Sequence, residues 1–162
     1  MSKYLSVLTI CLLSLNLSGL HATGSSTATA TVTYTINSID SIAVSGNPGP
    51  LNITTATAGS NPSSAVDSST TFAVTSNNSS RKITASLASN MPPNITLSVD
   101  MVAPTGATSA GSIALDTTTQ SLVTGIGNLA QGSLGITYIL TATTSASPVT
   151  AATNTVTYTI AP

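Results

Sequence analysis

Residues 155–160 read TVTYTI, and residues 31–36 read the same. Strict alternation places Val156, Tyr158 and Ile160 on one face and Thr155, Thr157 and Thr159 on the other, the period-two signature of a strand with one buried side. Val32, Tyr34 and Ile36 alternate in the same way with Thr31, Thr33 and Thr35. The hexapeptide therefore predicts a first strand over 30–37 and a closing strand over 155–160. A Tyr at the centre of such a strand buries its ring and keeps its hydroxyl at a partner or at water.

The region between the two copies continues in the same manner. Ile39, Ile42 and Val44 alternate, and the turn cluster Gly46-Asn47-Pro48-Gly49-Pro50 follows. Further strands are expected over 51–54, 70–75, 82–87, 94–102, 113–115, 122–126 and 133–143. Phe72, Val74, Ile83, Ala85, Leu87, Ile95, Leu97, Val99, Met101, Leu134, Ile136, Tyr138 and Leu140 are their inward residues. The stretch 58–69 reads as a loop, and Ser76-Asn77-Asn78-Ser79-Ser80 as a hairpin-type turn. No segment carries apolar spacing of three and four over ten residues, so no helix is expected. Roughly eight to ten short strands with regular turn signals predict an all-β fold, a single Ig-like antiparallel β-sandwich. Outside the hexapeptides the two halves match neither in spacing nor in turns, which argues against a tandem repeat.

Residues 1–22 have the layout of a secretory signal peptide: Lys3, an apolar run over 4–17, and the small-residue exit Ser18-Gly19-Leu20-His21-Ala22. Ser6, Thr9, Ser14 and Asn16 interrupt the run, which makes it a poor transmembrane span. The expected organisation is a signal peptide over 1–22, a flexible lead-in over 23–29 and a β-sandwich over 30–162, in a secreted, extracellular or cell-surface protein. Cleavage after Ala22 would remove the single His (His21) and the single Cys (Cys11). The fold then needs no disulfide, and about 140 residues are enough for a self-sufficient core.

Charge is nearly absent, at 4% of residues. Past residue 22 the charged side chains are Asp40, Asp67, Asp100, Asp116, Arg81 and Lys82, so there is no basic field to steer nucleic acid or anionic lipid. No nucleic-acid partner and no integral span after signal cleavage are expected. The surface must be built from Thr, Ser and Asn, with few of the lysines that usually guard exposed sheet edges. Such a sandwich either covers its edges internally or uses them to join a neighbour.

Catalysis needs groups that exchange protons, attack or hold a metal. Lys82 is the one candidate base for a Ser or Thr nucleophile, and its place beside Arg81 at a strand start suits a solvated lysine. The same position argues against Lys82 forming a cross-link to an Asn side chain. The four Asp are widely spaced and form no compact calcium loop, although Asp100 and Asp116 lie near loops. No catalytic, cofactor-binding or metal residue is assigned, and no cofactor is expected. Acceptor triplets for N-glycosylation begin at Asn52, Asn77, Asn78 and Asn94. Thr27, Thr29, Thr31, Thr33 and Thr35 form a single Thr ladder, of the kind that on several flat strands binds ordered surfaces.

FAVTSNNSSRKITASL (72–87), NITLSVDMVAP (94–104), LVTGIGN (122–128), GITYILTATTSASPV (135–149) and NTVTYTI (154–160) together resemble small secreted bacterial surface proteins of Ig-like sandwich type. Their layout is similar to WxL-type cell-surface domains and, more loosely, to pilus or spore-coat-like subunits. The chain lacks the Trp motifs of the former and, once cleaved, the disulfide usual in chaperone-assembled pilins. The resemblance implies an exported, surface-associated or assembling protein without catalysis. With no LPxTG tail and no hydrophobic C-terminal anchor, any attachment is expected to be non-covalent. The expected function is structural or adhesive, with self-association by β-strand addition through Val32, Tyr34 and Ile36 or Val156, Tyr158 and Ile160. A homo-oligomer or other surface proteins are the expected partners. The alternative is a binding module for glycan, cell wall or an ordered surface, using the sandwich-end loops or the Thr face.

Overall fold

The computed structural model describes residues 24–162 and falls into two compact units, Met1–Thr35 and Ile36–Pro162. The expected signal peptide lies outside the described residues. In the first unit, residues 24–35 carry no strand, and Val32 and Tyr34 are exposed.

Nine strands are described, all in the second unit, and no helix. They are β1 (Asp40–Val44), β2 (Ala65–Ser76), β3 (Arg81–Leu87), β4 (Ile95–Met101), β5 (Thr108–Ser109), β6 (Ile113–Ala114), β7 (Gln120–Ile126), β8 (Leu129–Ala142) and β9 (Val156–Ala161). They form two antiparallel sheets, ordered β1-β2-β8-β4-β6 and β5-β7-β3-β9, packed as a sandwich. The inward rows are those the alternation requires: Phe72 and Val74 of β2, Leu97, Val99 and Met101 of β4, and Leu134, Ile136 and Tyr138 of β8 meet Ile83, Ala85 and Leu87 of β3 and Leu122 and Ile126 of β7. Each large aliphatic residue so buried contributes on the order of 1.5–3 kcal/mol. Leu122 and Val123 are both buried although adjacent. The β3–β7 register shifts between Ile83 and Thr84, and such a bulge re-aims side chains that simple alternation would send outward.

Three expectations need correction. The strand expected over 30–37 is absent: a β-forming pattern supplies no ladder without an edge to pair with, and this copy of the hexapeptide has none. The strand expected over 51–54 is also absent, and only an isolated bridge between Ala56 and Pro62 organises that region. Conversely, β2 starts at Ala65, inside the stretch that reads as a loop, because Val66 and Asp67 pair with Ile139 and Tyr138 of β8. That early pairing is interrupted between Asp67 and Thr70, where Asp67 folds back to accept from the Ser69 amide (3.2 Å) and hydroxyl (2.8 Å).

The two sides of the sandwich differ. On one side the outermost strands, β5 and β6, are two residues long. On the other, β1 and β9 run five and six residues and lie beside each other.

Candidate functional site

The side bounded by β1 and β9 is the candidate site. In β9, Val156, Tyr158 and Ile160 are half-buried while Thr157 and Thr159 are exposed. The β3–β9 register pairs Ala85 with Tyr158 and Leu87 with Val156, and the next step is bonded from the Ala88 amide to the Thr155 carbonyl at 2.9 Å. Antiparallel pairs alternate between bonded and unbonded, so Thr155, Thr157 and Thr159 direct their main chain to β3. Val156, Tyr158 and Ile160 therefore direct their N–H and C=O groups to the free edge. The same residues supply the apolar side chains and the unpaired ladder.

The edge of β1 has the same construction. Ser45 N–H bonds to Thr71 O at 2.8 Å and Asn77 N–H to Ile39 O at 3.1 Å, which fixes the odd-numbered positions as those bonded to β2. Ile42 and Val44, half-buried against the core, thus present their main chain outward. Because β2 and β3 are joined by a reversal of four residues, 77–80, β1 runs with β3 and against β9. The two edges, unpaired with each other, run antiparallel side by side and form a narrow seam, their Cα atoms approaching within 8 Å.

Beneath the seam the Tyr158 hydroxyl donates to the Tyr138 hydroxyl at 2.9 Å. Burial pushes both phenols above a tyrosine's ordinary value, Tyr158 the further because the Tyr138 hydroxyl adds to the effect. At the Val44 and Val156 end the seam widens into a cleft of about 800 Å³, floored by Leu97, Tyr138 and Leu140 and walled by 46–51 and 151–156. Neither this cleft nor its neighbour beside 51–56 is lined by a carboxylate or a cation.

The opposite end is clamped. Asn77 donates from Nδ2 to Asn37 O (2.8 Å) and accepts from Ile39 N–H (2.7 Å), while Asn78 Nδ2 donates to Ile39 O and to Asp40 Oδ1, both at 3.1 Å. Ser38 Oγ donates to Asn78 Oδ1 at 3.1 Å. Asp40 also accepts from Ser76 Oγ at 2.7 Å, and its second oxygen lies 2.9 Å from Arg81 Nε, an ion pair rather than an aligned hydrogen bond. The Ser76 hydroxyl first, then the Asn78 amide and the Arg81 charge, hold the Asp40 carboxyl below the usual carboxylate range.

The six residues singled out in the sequence thus divide. Val156, Tyr158 and Ile160 line the seam; Val32, Tyr34 and Ile36 are 77, 82 and 76% exposed on a segment without strand structure. Ile42, Val44 and the Asn77–Asn78 clamp are participants the sequence reading missed. The alternation of Ile42 with Val44 marks a strand without marking an edge, and Asn77-Asn78 reads as turn chemistry alone. Lys82 is exposed on β3. Asp100 accepts from Ser109 Oγ (3.4 Å), and Asp116 accepts from Thr118 and Gln120, which lowers its pKa, the Thr118 hydroxyl acting most. Among the described residues no three His, Cys, Asp or Glu side chains gather as a metal site, and no helix is long and apolar enough to cross a membrane. The Thr27–Thr35 ladder lies on no sheet. The chain matches no family model and no curated protein.

Proposed function

We propose that the chain is a non-catalytic structural or adhesive protein of the secreted, surface-associated kind, an Ig-like sandwich that assembles by β-strand addition. One observation carries the reading: a strand-forming hexapeptide is exposed and unpaired on the same molecule whose sandwich ends, on one side, in two unpaired edges of five and six residues. Natural sheets seldom leave an apolar edge of that length unguarded. Strand addition satisfies its main chain and buries its side chains in one step. The clefts free of charged side chains and the solvated Lys82 support the non-catalytic part of the reading.

Light scattering over a wide concentration range tests it, comparing the chain starting at Thr23 with one starting at Ser38. Large species from the first and monomers from the second are expected. Folded monomers from both at every concentration would overturn assembly and favour the second reading, a module that binds glycan or cell-wall material. The depression lined by Leu51, Ile53, Pro62, Leu140 and Val149 favours that alternative, and retention of the monomer on such material would identify it.

A further inference from the structure

We infer that the open end of the sandwich core is a binding site for a neutral, largely apolar small molecule that presents a carbonyl or ether oxygen to the Tyr138–Tyr158 hydroxyl pair. Such a site is a function additional to assembly and independent of it.

The floor of the site comes from core rows that outrun the sheet facing them. Leu97 of β4 pairs with Leu140 of β8, and both pack on the core. Ile95 pairs with Ala142 one step further on, and alternation puts this pair on the same face. The last β3–β9 pair at that end is Leu87 with Val156. Beyond it the floor is walled by the irregular segments 46–56 and 143–155 in place of a second sheet. Two depressions result, of about 800 Å³ and 690 Å³. Leu51, Leu140 and Ala151 line both, so the two are lobes of a single trough. Clefts of such volume take ligands of ordinary small-molecule size.

The lining selects the guest. No carboxylate, ammonium or guanidinium group lines either lobe, so a charged ligand would lose its hydration with nothing to replace it. The polar element is the phenol pair, which lines the larger lobe. Two hydroxyls carry two protons, and the bond from Tyr158 to Tyr138 at 2.9 Å uses one of them. The Tyr138 hydroxyl, on a side chain only 3% exposed, has no acceptor among the described residues. A buried donor without an acceptor is costly, and this one can be satisfied only from outside the chain. An oxygen on a molecule seated in the lobe does so. Burial keeps both phenols protonated well above neutral pH, so the donor persists over the ordinary range. The walls add main-chain donors: among the described residues neither 46–54 nor 147–153 makes a main-chain to main-chain hydrogen bond. Apolar bulk over Leu97 and Leu140, one or two acceptor oxygens and no charge is the chemistry that satisfies every part of this lining.

Fluorescence titration of the full chain with three dyes tests the site. Nile red is neutral and carries a carbonyl oxygen, phenylnaphthylamine is neutral without an oxygen, and anilinonaphthalene sulfonate is the same skeleton as the second with an anionic group. Saturable binding of Nile red is expected, with the sulfonate bound about tenfold or more weakly than phenylnaphthylamine. Leu51→Asp sets a charge on the ridge shared by both lobes and should weaken both neutral dyes about tenfold. Val66→Asp, at an exposed apolar residue outside the trough, should leave them unchanged. Either phenol alone can still donate, so Tyr138→Phe and Tyr158→Phe should each bind Nile red nearly as the parent does. The double variant should lose about fivefold for Nile red, with phenylnaphthylamine unchanged. No saturable binding, binding indifferent to Leu51→Asp, or equal losses in Leu51→Asp and Val66→Asp overturns the site. Equal affinity for the sulfonate overturns the selection of a neutral guest. A double variant that is folded by far-ultraviolet dichroism and binds Nile red as the parent does overturns the hydroxyl pair as the polar contact.

Discussion

The two copies of TVTYTI have one sequence and two fates. At 155–160 the hexapeptide lies against β3, its Val, Tyr and Ile half-buried; at 31–36 the same side chains stand more than three-quarters exposed. Their local preferences are identical, so the difference is wholly the presence of a neighbouring edge. A β-strand is a property of a pair, and β-propensity records the fit to a pleated, half-buried surface rather than a backbone choice.

Equivalent substitutions in the two copies sharpen that comparison, with urea unfolding at concentrations too low for association as the measurement. Tyr158→Ala should cost about 3 kcal/mol, since it removes a half-buried ring packed against the core and leaves a cavity beside Tyr138. Tyr34→Ala should change monomer stability by less than about 0.5 kcal/mol; equal losses would mean that the two environments are alike.

Tyr158→Phe isolates the hydroxyl. It should cost about 1 kcal/mol by removing the donor to Tyr138, with Tyr34→Phe silent. The same pair governs the alkaline limit. Both phenols are raised in the folded state, so their contribution is complete below about pH 10, the unfolded value, and is lost as pH rises beyond it. Stability followed from pH 8 to 12 should fall above pH 10, and Tyr158→Phe should soften the fall.

The clamp gives smaller effects, in the second unit alone. Asn77→Ala removes two exposed hydrogen bonds to 37–39 and should cost about 1 kcal/mol or less. Asp40 is lowered in the folded state, so its contribution is present above the ordinary carboxylate value and is lost as pH falls below about 4. A modest loss of melting temperature between pH 4 and 2, reduced in Asp40→Asn, is the expected signature. An unchanged acid limit would show that the ion pair and its hydroxyl donor do not secure the start of β1.

Most of the sandwich is legible because its strands carry their burial in their alternation. β3, β4, β8 and β9 fall where Ile83, Leu97, Ile136 and Tyr158 mark an inward face. What was hidden depends on partners distant in the chain. The polar start of β2 becomes a strand through Ile139 and Tyr138. The two-residue strand β5 is too short for any periodicity, whereas β6 falls within the strand expected over 113–115. The candidate site was half-legible for the same reason: the alternation in the repeat marks the apolar face of β9, while the seam exists only because β1 and β9 end their sheets on one side.

That one side with long unpaired edges would fix a valence. With β5 and β6 two residues long, assembly by strand addition would have one acceptor and one donor segment per sandwich, and copies so joined would grow as an unbranched line. A free peptide of sequence TVTYTI would act on such a line as a chain terminator, occupying the acceptor and bringing no further donor.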